Sequence, residues 1–467
     1  MPMTAQTPRP LPEGRLVAWY GDDFTGSAAV AEALTFSGLE AVLFFDLPTQ
    51  AQLAQFPTAR GIGIAGAARA KSPGWMDRHL PTVFEALAKL GAPVSQYKIC
   101  STLDSAPHLG SIGRAMDLAA PCFPDTPWPI VVAAPAIRRY QAFGNLFADY
   151  GGRNYRLDRH PVMQRHPATP MTEGDVARHI ALQTDMPLGL VDLVAMKSGT
   201  TGEALKAAVA EGAKAVTVDV VDDATLAEAG RLIWELSPQP CFTVGSQGVE
   251  YALVAYWQAA GLLSAPRKRY HASEVDRMAI VSGSCSATTA EQIAWASARG
   301  SQTIRIDARR AIAAADWEAE IERATAAALD VLSAGSDPIV LTATGPDDPA
   351  IAAFRAALAT AGAEEEAVNA RIGDGLGRIL DRLVRRGRLQ RAVIAGGDTS
   401  SHAAAALSVF ALTALAPTVP GAALFKAHSE DPALETLELA LKGGQMGAPD
   451  YFGQIKQGGA KAGGAQL

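Results

Sequence analysis

Short apolar runs alternate with alanine-rich segments of helical spacing along most of this chain of 467 residues. Such runs predict strands buried on both faces, and the segments between them predict helices. Strands that alternate with helices form parallel sheets. In the first half we predict strands at residues 16–20, 40–45, 61–65, 95–100, 129–134, 215–221 and 241–244, and helices at 28–34, 76–89, 226–236 and 249–260.

The same alternation starts again after a short basic stretch, PRKRYH, at residues 266–271. In the second half we predict strands at residues 278–281, 338–342 and 391–395, and helices at 290–298, 317–332, 402–407 and, interrupted by three glycines, 367–385. The fold class is therefore α/β, with two domains that each contain a mostly parallel sheet flanked by helices. We predict an N-terminal domain over residues 1–265, a linker over 266–276, a C-terminal domain over 277–457 and a flexible Gly/Ala-rich tail over 458–467.

The first predicted strand ends in a turn that carries two adjacent carboxylates. After Gly21 come Asp22 and Asp23, and then a helix that Thr25 or Ser27 can cap. Ligands of open α/β sheets bind at the carboxyl ends of strands. Paired carboxylates there can take a proton from a substrate hydroxyl or hold Mg²⁺. The alternative is that one aspartate caps the helix and the other is solvated.

A second turn of the first half is rich in polar side chains. The strand that starts at residue 95 leads to Lys98, Ser101, Thr102 and Asp104. If this strand is a neighbour of the first one, these side chains converge with the two aspartates. Such a site has acceptors for hydroxyls, a cation for a carboxylate and a base, as a small polyhydroxy acid requires. The alternative for Lys98 is a strand-end lysine that reaches solvent.

Residues 135–170 contain no predicted element but many arginines and histidines. Structureless loops of this length inside a domain are uncommon and often functional. Arginines suit a carboxylate or phosphate ligand, and a solvated loop with scattered charge is the alternative. We count Arg165 and His166 from this loop, with Thr25 from the first turn, among the candidate ligands of the acid.

Three turns of the second half carry glycine at the carboxyl end of a strand, and two of them also contain serine or threonine. They are SGSCS at residues 282–286, AGGDTSS at 395–401 and KGGQMG at 442–447. Glycine lets the backbone approach a ligand closely, and helix N-terminal amides attract anions. Together the turns predict a phosphate or nucleotide site, although no GxxxxGK[ST] or GxGxxG motif occurs. With the first half, they predict phosphoryl transfer at an active site in the interdomain cleft.

Composition narrows the class of protein further. The chain has 41 Lys and Arg against 48 Asp and Glu, a formal charge of −7, which is unsuited to binding a nucleic-acid backbone. Its four cysteines form no CxxC pair, which argues against a zinc site or a disulfide framework. We find neither a signal peptide nor a membrane-spanning stretch. We therefore expect a cytoplasmic protein with neither a nucleic-acid nor a membrane partner.

Seven motifs resemble those of the four-carbon acid sugar kinases, in that family's order and over nearly the whole chain. They are GDDFTGS at residues 21–27, YKICSTLDSAPHLGSIG at 97–113, HPATPMTE at 166–173, TVGSQGVEYAL at 243–253, VSGSCSATTAEQI at 281–293, AGGDTSS at 395–401 and LKGGQMG at 441–447. The resemblance implies an ATP-dependent kinase of 3-oxo-tetronate, threonate, erythronate or a related acid. It also implies an acid-sugar domain followed by a nucleotide domain, and a homodimer is common among such enzymes.

The resemblance also implies roles for particular residues. On the acid side it points to Asp22, Asp23, Lys98 and Ser101, with one of the aspartates as the base. On the nucleotide side it implies ATP contacts from Ser282, Ser284, Gly396, Gly397, Asp398, Thr399 and Gly444. Mg²⁺ would bridge the phosphates, and no protein cage dedicated to a metal is predicted.

The sequence departs from the family in two places. The family's opening DDFTGA is usually followed by a polar residue and Asp, where this chain has Ser27, Ala28 and Ala29, and residues 416–421 differ from the usual GPxxxPGVP. The missing carboxylate makes a branched acid such as 3-oxo-isoapionate a further possible substrate. Two other functions stay open, a sugar-acid-binding sensor without turnover and an isomerase or aldolase of a phosphorylated acid.

Overall fold

The computed structural model describes residues 7–125, 127–266, 270–397 and 403–460. These residues divide into two compact units. The first contains the described residues up to 42 and from 46 to 266, and the second contains residues 43–45 and those from 270 onward. No described helix is long and apolar enough to cross a membrane.

The sheet of the first unit is parallel in its order β3-β1-β4-β11-β5-β10-β9. The predicted strands are present, and strand β9 was not predicted. The strands of this half are β1 Val17–Gly21, β2 Ala41–Phe44, β3 Gly61–Ile64, β4 Val94–Lys98, β5 Trp128–Val131, β9 Leu188–Val191, β10 Ala215–Val218 and β11 Cys241–Gly245. Most are apolar and fully buried, as strands covered on both faces must be.

The helices of the first unit connect these strands. They are α1 Phe24–Phe36, α2 Gln50–Ala54, α3 Pro73–Lys89, α4 Ile112–Ala119, α5 Val176–Ala181, α6 Leu193–Ser198, α7 Thr201–Ala210, α8 Asp223–Arg231 and α9 Gly248–Ala259. Four of the predicted helices correspond to α1, α3, α8 and α9, and the end of the predicted 226–236 helix is a π-helical turn, Leu232–Leu236. The core includes aromatic contacts such as Phe123 stacked on Phe242 at 4.5 Å between ring centroids.

The prediction that residues 135–170 lack regular structure is wrong. They contain an antiparallel three-stranded sheet made of β6 Arg139–Ala142, β7 Asn145–Tyr150 and β8 Arg153–Arg156. Both hairpin turns have two consecutive residues at positive φ, Phe143 with Gly144 and Gly151 with Gly152. Two-residue turns of that conformation match the twist of paired strands and favour glycine. The sequence signals for these turns were therefore Phe143-Gly144 and Tyr150-Gly151-Gly152, each between short segments of alternating polarity.

The second unit has a mostly parallel sheet in the order β13-β14-β12-β15-β18-β17-β16. Only the pairs β18–β17 and β17–β16 are antiparallel among the pairings of this unit that the structure describes. The strands are β12 Ala279–Ser282, β13 Gln302–Arg305, β14 Pro338–Leu341, β15 Arg391–Ala395, β16 Val409–Ala416, β17 Leu424–Ser429 and β18 Glu438–Lys442. Strands β13, β16 and β17 were not predicted. The predicted fold class, two α/β domains with mostly parallel sheets, is confirmed.

One helix of the second unit, α13 (Glu365–Gly387), differs from its prediction. The helices of this unit include α10 Ala287–Ser297, α11 Ala314–Ser333, α12 Pro349–Ala361, α13 and a final short helix, Tyr451–Lys456. Helix α13 is continuous through the glycines that were expected to interrupt it. A Cβ at Gly375 would lie 2.5 Å from the Trp317 ring, so this glycine permits close packing of α13 against α11.

The predicted linker and tail lie partly outside the described residues, which exclude 267–269 and 461–467. The described residues of both segments form backbone hydrogen bonds. The Ala272 amide donates to the Gly458 carbonyl at 2.9 Å, and the Ala460 amide donates to the Pro417 carbonyl at 2.9 Å. Residues 458–460 therefore take part in backbone hydrogen bonds, and the flexibility of the tail stays a prediction. The predicted helix at 402–407 also begins outside the described residues.

Candidate active site

The turn after β1 places Asp22 and Asp23 at the carboxyl edge of the first sheet. Strand β1 pairs with β4 so that Gly21 lies opposite Lys98, and the Asp22 amide donates to the Lys98 carbonyl at 2.8 Å. The two strands whose adjacency the sequence argument required are therefore neighbours. Gly21 is needed for the turn, because a Cβ there would lie 1.8 Å from the Ser27 hydroxyl oxygen.

Asp23 has a structural role in addition to its place at the edge. It caps α1, accepting the Gly26 amide at 3.1 Å and the Thr25 hydroxyl at 2.7 Å, and forms an ion pair with Arg69 at 2.9 Å. The prediction that Thr25 or Ser27 caps this helix is therefore wrong. Burial opposes the charge of Asp23, but Arg69, Lys98 and the hydrogen bonds outweigh it and lower the pKa of Asp23.

Asp22 lies beside Asp23 in a different environment. It is 2% exposed, and its Oδ1 has no hydrogen-bond partner among the described residues. Burial raises the pKa of Asp22 to about 7, with Arg69 opposing and Asp23 adding to the shift. The alternative of one capping and one solvated aspartate is wrong for Asp22. A buried carboxylate with a free oxygen and a pKa near neutrality can accept a proton from a ligand.

Lys98 is buried, contrary to the alternative that it reaches solvent. Its ammonium donates to the Ile99 carbonyl at 2.8 Å and lies against the first turn of α1, where a Cβ on Gly26 would approach it within 2.7 Å. We call Asp22, Asp23, Arg69 and Lys98 the acid cluster. Its two cations and two carboxylates are held within one strand-end region.

Sequence reasoning missed Arg69 and Glu250. Arg69 lies just after β3, which neighbours β1, so the sheet order alone would have placed it at this edge. Glu250 is fully buried on α9, its carboxylate oxygens have no hydrogen-bond partner in the described chain, and burial raises its pKa to about 8. The charge of Lys98 opposes that shift, which places Glu250 within electrostatic range of the acid cluster.

The predicted hydroxyl-rich turn follows β4 and stays near the cluster. The Thr102 hydroxyl donates to Asp104 at 2.8 Å, and the half-buried Ser101 precedes them. Between them the buried Leu103 has a left-handed φ of 55°, and the Ser105 hydroxyl donates to its carbonyl at 3.0 Å. Asp104 acts electrostatically on Asp22 and Arg69, so this turn contributes to the same region.

Arg165 and His166 are not joined to the acid cluster by any hydrogen bond or ion pair among the described residues. Arg165 is exposed at the end of a 3-10 turn, Met163–Arg165. The Nδ1 atom of His166 accepts the Thr169 amide at 3.1 Å. Their role as ligands of the acid therefore stays a prediction.

Three loops of the second unit follow the adjacent strands β12, β15 and β18. Ser282 and Ser284 are buried in the first loop, and the Ser282 hydroxyl oxygen accepts the Ser284 amide at 3.4 Å. Helix α10 is capped by Ser286, whose side chain accepts the Thr289 amide. The Ser286 hydroxyl also spans to the third loop, where it donates to the Gly444 carbonyl.

Lys442 is the functional candidate that the sequence analysis missed in this unit. Its side chain is fully buried, and its ammonium donates to the Thr289 hydroxyl at 2.8 Å. Thr289 in turn donates to Gly444 O at 3.1 Å or Ser284 Oγ at 3.0 Å. Burial lowers the pKa of Lys442 to about 8. The sequence could have indicated this residue, because Lys442 is both the first residue of the motif KGGQMG and the last residue of β18.

The second loop is described only at its start. Gly396 has φ of 126°, and a Cβ on Gly397 would meet no described atom within 4 Å. Asp398 and Thr399 lie outside the described residues. We call Ser284, Ser286, Thr289, Lys442 and Gly444 the loop cluster. It offers hydroxyls, backbone groups and a buried cation, which are groups that bind phosphate.

No group of three or more His, Cys, Asp or Glu residues in the described chain is arranged to hold a metal ion. The free Asp22 Oδ1 is a single carboxylate oxygen. Mg²⁺ is commonly bound by one or two carboxylates together with substrate phosphates. The residues present therefore fit an ion carried by a nucleotide.

Comparison with known proteins matches two family models. Residues 17–253 match the sugar-binding N-terminal domain, and residues 279–452 match the nucleotide-binding C-terminal domain. A 3-oxo-isoapionate kinase from Paraburkholderia graminis is 45% identical over 96% of this chain and 95% of its own length. The chain belongs to the four-carbon acid sugar kinases. Membership in this family confirms the predicted class of enzyme, a kinase that phosphorylates an alcohol group of a sugar acid.

Two further matches have lower identity. A 3-oxo-tetronate kinase from Methylobacterium radiotolerans is 30% identical over 93% of this chain and 96% of its own length. A solved structure from Salmonella typhimurium LT2 covers 94% of this chain and 98% of its own, with a TM-score of 0.75 at 24% identity. This last likeness supports the fold.

Proposed function

We propose that this kinase transfers the γ-phosphate of ATP to a hydroxyl of 3-oxo-isoapionate. The observation that carries the reaction type is Asp22, a buried carboxylate with an unpartnered oxygen and a pKa raised to about 7. The choice of acid is supported by the 45% identity to a 3-oxo-isoapionate kinase. Ala29, where the family usually has Asp, agrees with a changed acceptor. The 3-oxo-tetronates are the second candidates, since the kinases named for them are more distant.

Asp22 is the proposed base, and Asp23 holds the site together. Asp22 can accept the hydroxyl proton near neutral pH, whereas Asp23 is engaged by Arg69 and by the first turn of α1. A carboxylate with a lowered pKa is a poor proton acceptor at neutral pH. Lys98 and Arg69 supply positive charge beside the acceptor. Ser101, Thr102 and Asp104 are the proposed partners of the remaining hydroxyls.

The loop cluster is the proposed phosphate site. Gly444 and the serines Ser282 and Ser284 supply backbone and hydroxyl contacts, and Lys442 supplies the positive charge. A Cβ on Gly397 would meet no described atom within 4 Å, which supports placing the phosphates beside it. Mg²⁺, bound to the nucleotide, neutralises charge on the phosphates. Catalysis then consists mainly of positioning the two substrates and stabilising charge in the transition state.

The first test is a coupled ADP-release assay with ATP and Mg²⁺. The acceptors are 3-oxo-isoapionate, threonates, erythronates and their 3-oxo forms. We expect the highest kcat/KM with 3-oxo-isoapionate. Preference for a 3-oxo-tetronate would contradict the proposed substrate but keep the reaction. Binding of ATP without turnover of any acid would favour the sensor, and binding of phosphate esters independent of ATP would favour the isomerase or aldolase.

Two further expectations stay predictions. A cytoplasmic location follows from the need for ATP, and fractionation of the native host checks it. A homodimer follows from the family resemblance, and light scattering of the purified chain checks that.

A further inference from the structure

Arg139 begins strand β6 and is fixed at the edge of the first sheet. Its amide and carbonyl both hydrogen-bond Ala134, at 3.2 and 2.9 Å, and Ala134 follows β5 closely. Strand β5 lies two places from β4 in the sheet, with β11 between them. The backbone of Arg139 is therefore tied to the carboxyl edge that also carries the acid cluster.

The guanidinium of Arg139 is hydrogen-bonded within the described chain on one side only. Its Nη1 donates to the carbonyls of Ile137 and Arg138, at 3.1 and 3.2 Å. Its Nε is buried and has no acceptor, and neither Nε nor Nη2 bonds any residue of the described chain. Burial lowers the pKa of Arg139, and the charges of Asp149 and Asp104 offset that shift only in part.

Four other arginines of this chain show which kind of ligand the Nε–Nη2 edge of Arg139 can bind. Their Nε and Nη2 atoms bind the two oxygens of one carboxylate in the pairs Arg156–Asp158, Arg231–Glu228, Arg309–Asp307 and Arg323–Glu320, at 2.6 to 2.9 Å. Bidentate pairs of this kind are among the stronger hydrogen bonds of proteins. Arg139 has the same edge, held in place by its Nη1 bonds, and no protein carboxylate on it.

Electrostatic neighbours link Arg139 to the acid cluster. Asp104 and Cys100 lie within electrostatic range of Arg139. Both also interact electrostatically with Arg69 and Asp22. Asp149 also acts electrostatically on Arg139, but it is paired with Arg138. Asp104 is bonded to the Thr102 hydroxyl. The nearby protein carboxylates therefore leave the Nε–Nη2 edge of Arg139 to a ligand.

We propose that Arg139 binds the carboxylate of the acid substrate through Nε and Nη2, and so selects acids over neutral sugars. This inference rests on the proposed function, because it takes the acceptor to be an acid bound beside Asp22. It assigns the specificity to the first β-hairpin, and it replaces Arg165 as the candidate carboxylate ligand.

The test compares Arg139→Gln with Arg153→Gln on a charged and a neutral acceptor. Arg153 is an exposed arginine at the start of β8, in the same three-stranded sheet. The acceptors are 3-oxo-isoapionate and its primary amide. We expect Arg139→Gln to lower kcat/KM for the acid roughly 10- to 100-fold, mainly through KM. We expect its kcat/KM for the amide to change less than about threefold, and Arg153→Gln to alter neither value.

Equal losses on acid and amide, or no loss on the acid, would overturn the inference while leaving the kinase intact. Arg139→Lys keeps the charge but not the bidentate edge, so it should recover only part of the loss. Melting temperatures of all variants should match the wild type. If Arg139→Gln melts early, Arg139→Lys alone decides, and a loss confined to the acid is required.

A wild-type chain that phosphorylates no acid would refute the proposed function separately. Calorimetric titration with 3-oxo-isoapionate then tests the inference directly. Binding by the wild type that is weakened roughly 10-fold or more in Arg139→Gln supports it. Equal binding by both, or binding by neither, overturns it.

Discussion

The acid cluster and the loop cluster both lie where parallel strands end, but their chemistry differs. The acid cluster sets two carboxylates against two cations in a buried region, so the pKa values of the adjacent Asp22 and Asp23 move in opposite directions. The loop cluster is mostly neutral, with hydroxyls and backbone carbonyls around Lys442.

The difference matches the two tasks of a kinase. A general base needs a carboxylate whose ionised form is destabilised, so that its pKa lies near neutrality. Burial next to another carboxylate raises the pKa in this way. A phosphate site needs donors and positive charge without competing anions. The loop cluster provides these through hydroxyls, glycine and one lysine, whereas the acid cluster could not accept several phosphates beside its own carboxylates.

The largest effect is expected for Asp22→Asn. Removing the base should lower kcat by about 10²- to 10⁴-fold, because a positioned base contributes that much. ATP affinity should stay the same, since Asp22 belongs to the acid cluster. Steady-state kinetics and nucleotide titration measure the two effects. Asp46→Asn is the matched control, because Asp46 also follows a strand and should leave kcat unchanged. Equal losses in kcat and ATP affinity would contradict the assignment.

Lys442→Met should act on the other substrate. We expect KM for ATP to rise roughly 10- to 100-fold, because a charge-assisted contact to phosphate is lost. KM for the acid should change little. The control is Lys426→Met, which removes an exposed lysine of the same unit. A Lys442→Met enzyme with unchanged ATP kinetics would remove this residue from the phosphate site.

Gly397→Val tests the space beside the second loop. A side chain there meets no described atom within 4 Å, so the free protein should keep its melting temperature. The nucleotide should bind at least about tenfold more weakly, since the added methyl groups occupy the space proposed for phosphate. Calorimetry with ADP measures this loss, and acid binding serves as the internal control. Normal ATP affinity in Gly397→Val would refute the placement of the phosphates.

The smallest effects concern pH and separate the clusters in one experiment. Asp22 must be unprotonated to act, so kcat/KM should fall about tenfold per pH unit below about 7. Lys442 must be protonated to bind phosphate, so KM for ATP should rise above about pH 8. Lys442→Met should lose the alkaline limb and keep the acidic one.

Glu250 titrates in the same alkaline range, because burial raises its pKa to about 8. Glu250→Gln is therefore the control for the pH experiment. It should retain the alkaline limb if Lys442 causes it. Loss of that limb in Glu250→Gln would assign it to the first unit instead.

The sequence predicted the elements whose signal is local. Buried strands such as β1 and β15 are continuous apolar runs, and the turns after them carry their glycines and acids in order. What it could not predict depends on neighbours in space. The partner of Asp23 is Arg69, which lies on another strand end, and the cost of burying Asp22 is a property of the packed sheet.

Two errors involve glycine. The glycines of α13 suggested an interruption, but Gly375 permits close approach of Trp317. Residues 135–170 were predicted to lack regular structure, but Gly144, Gly151 and Gly152 lie in hairpin turns. Glycine removes a steric restriction, and only the surroundings determine how that freedom is used.

The three-stranded sheet β6–β8 also has an evolutionary consequence. It is inserted between β5 and α5, and isolated bridges such as Gln141–Val220 tie it to the parallel framework. A module joined this way can diverge, or be exchanged between relatives, without disturbing the strands that carry the aspartates and the lysine. If Arg139 binds the acid as proposed, recombining this hairpin among family members should change acceptor preference on an unchanged phosphotransfer scaffold.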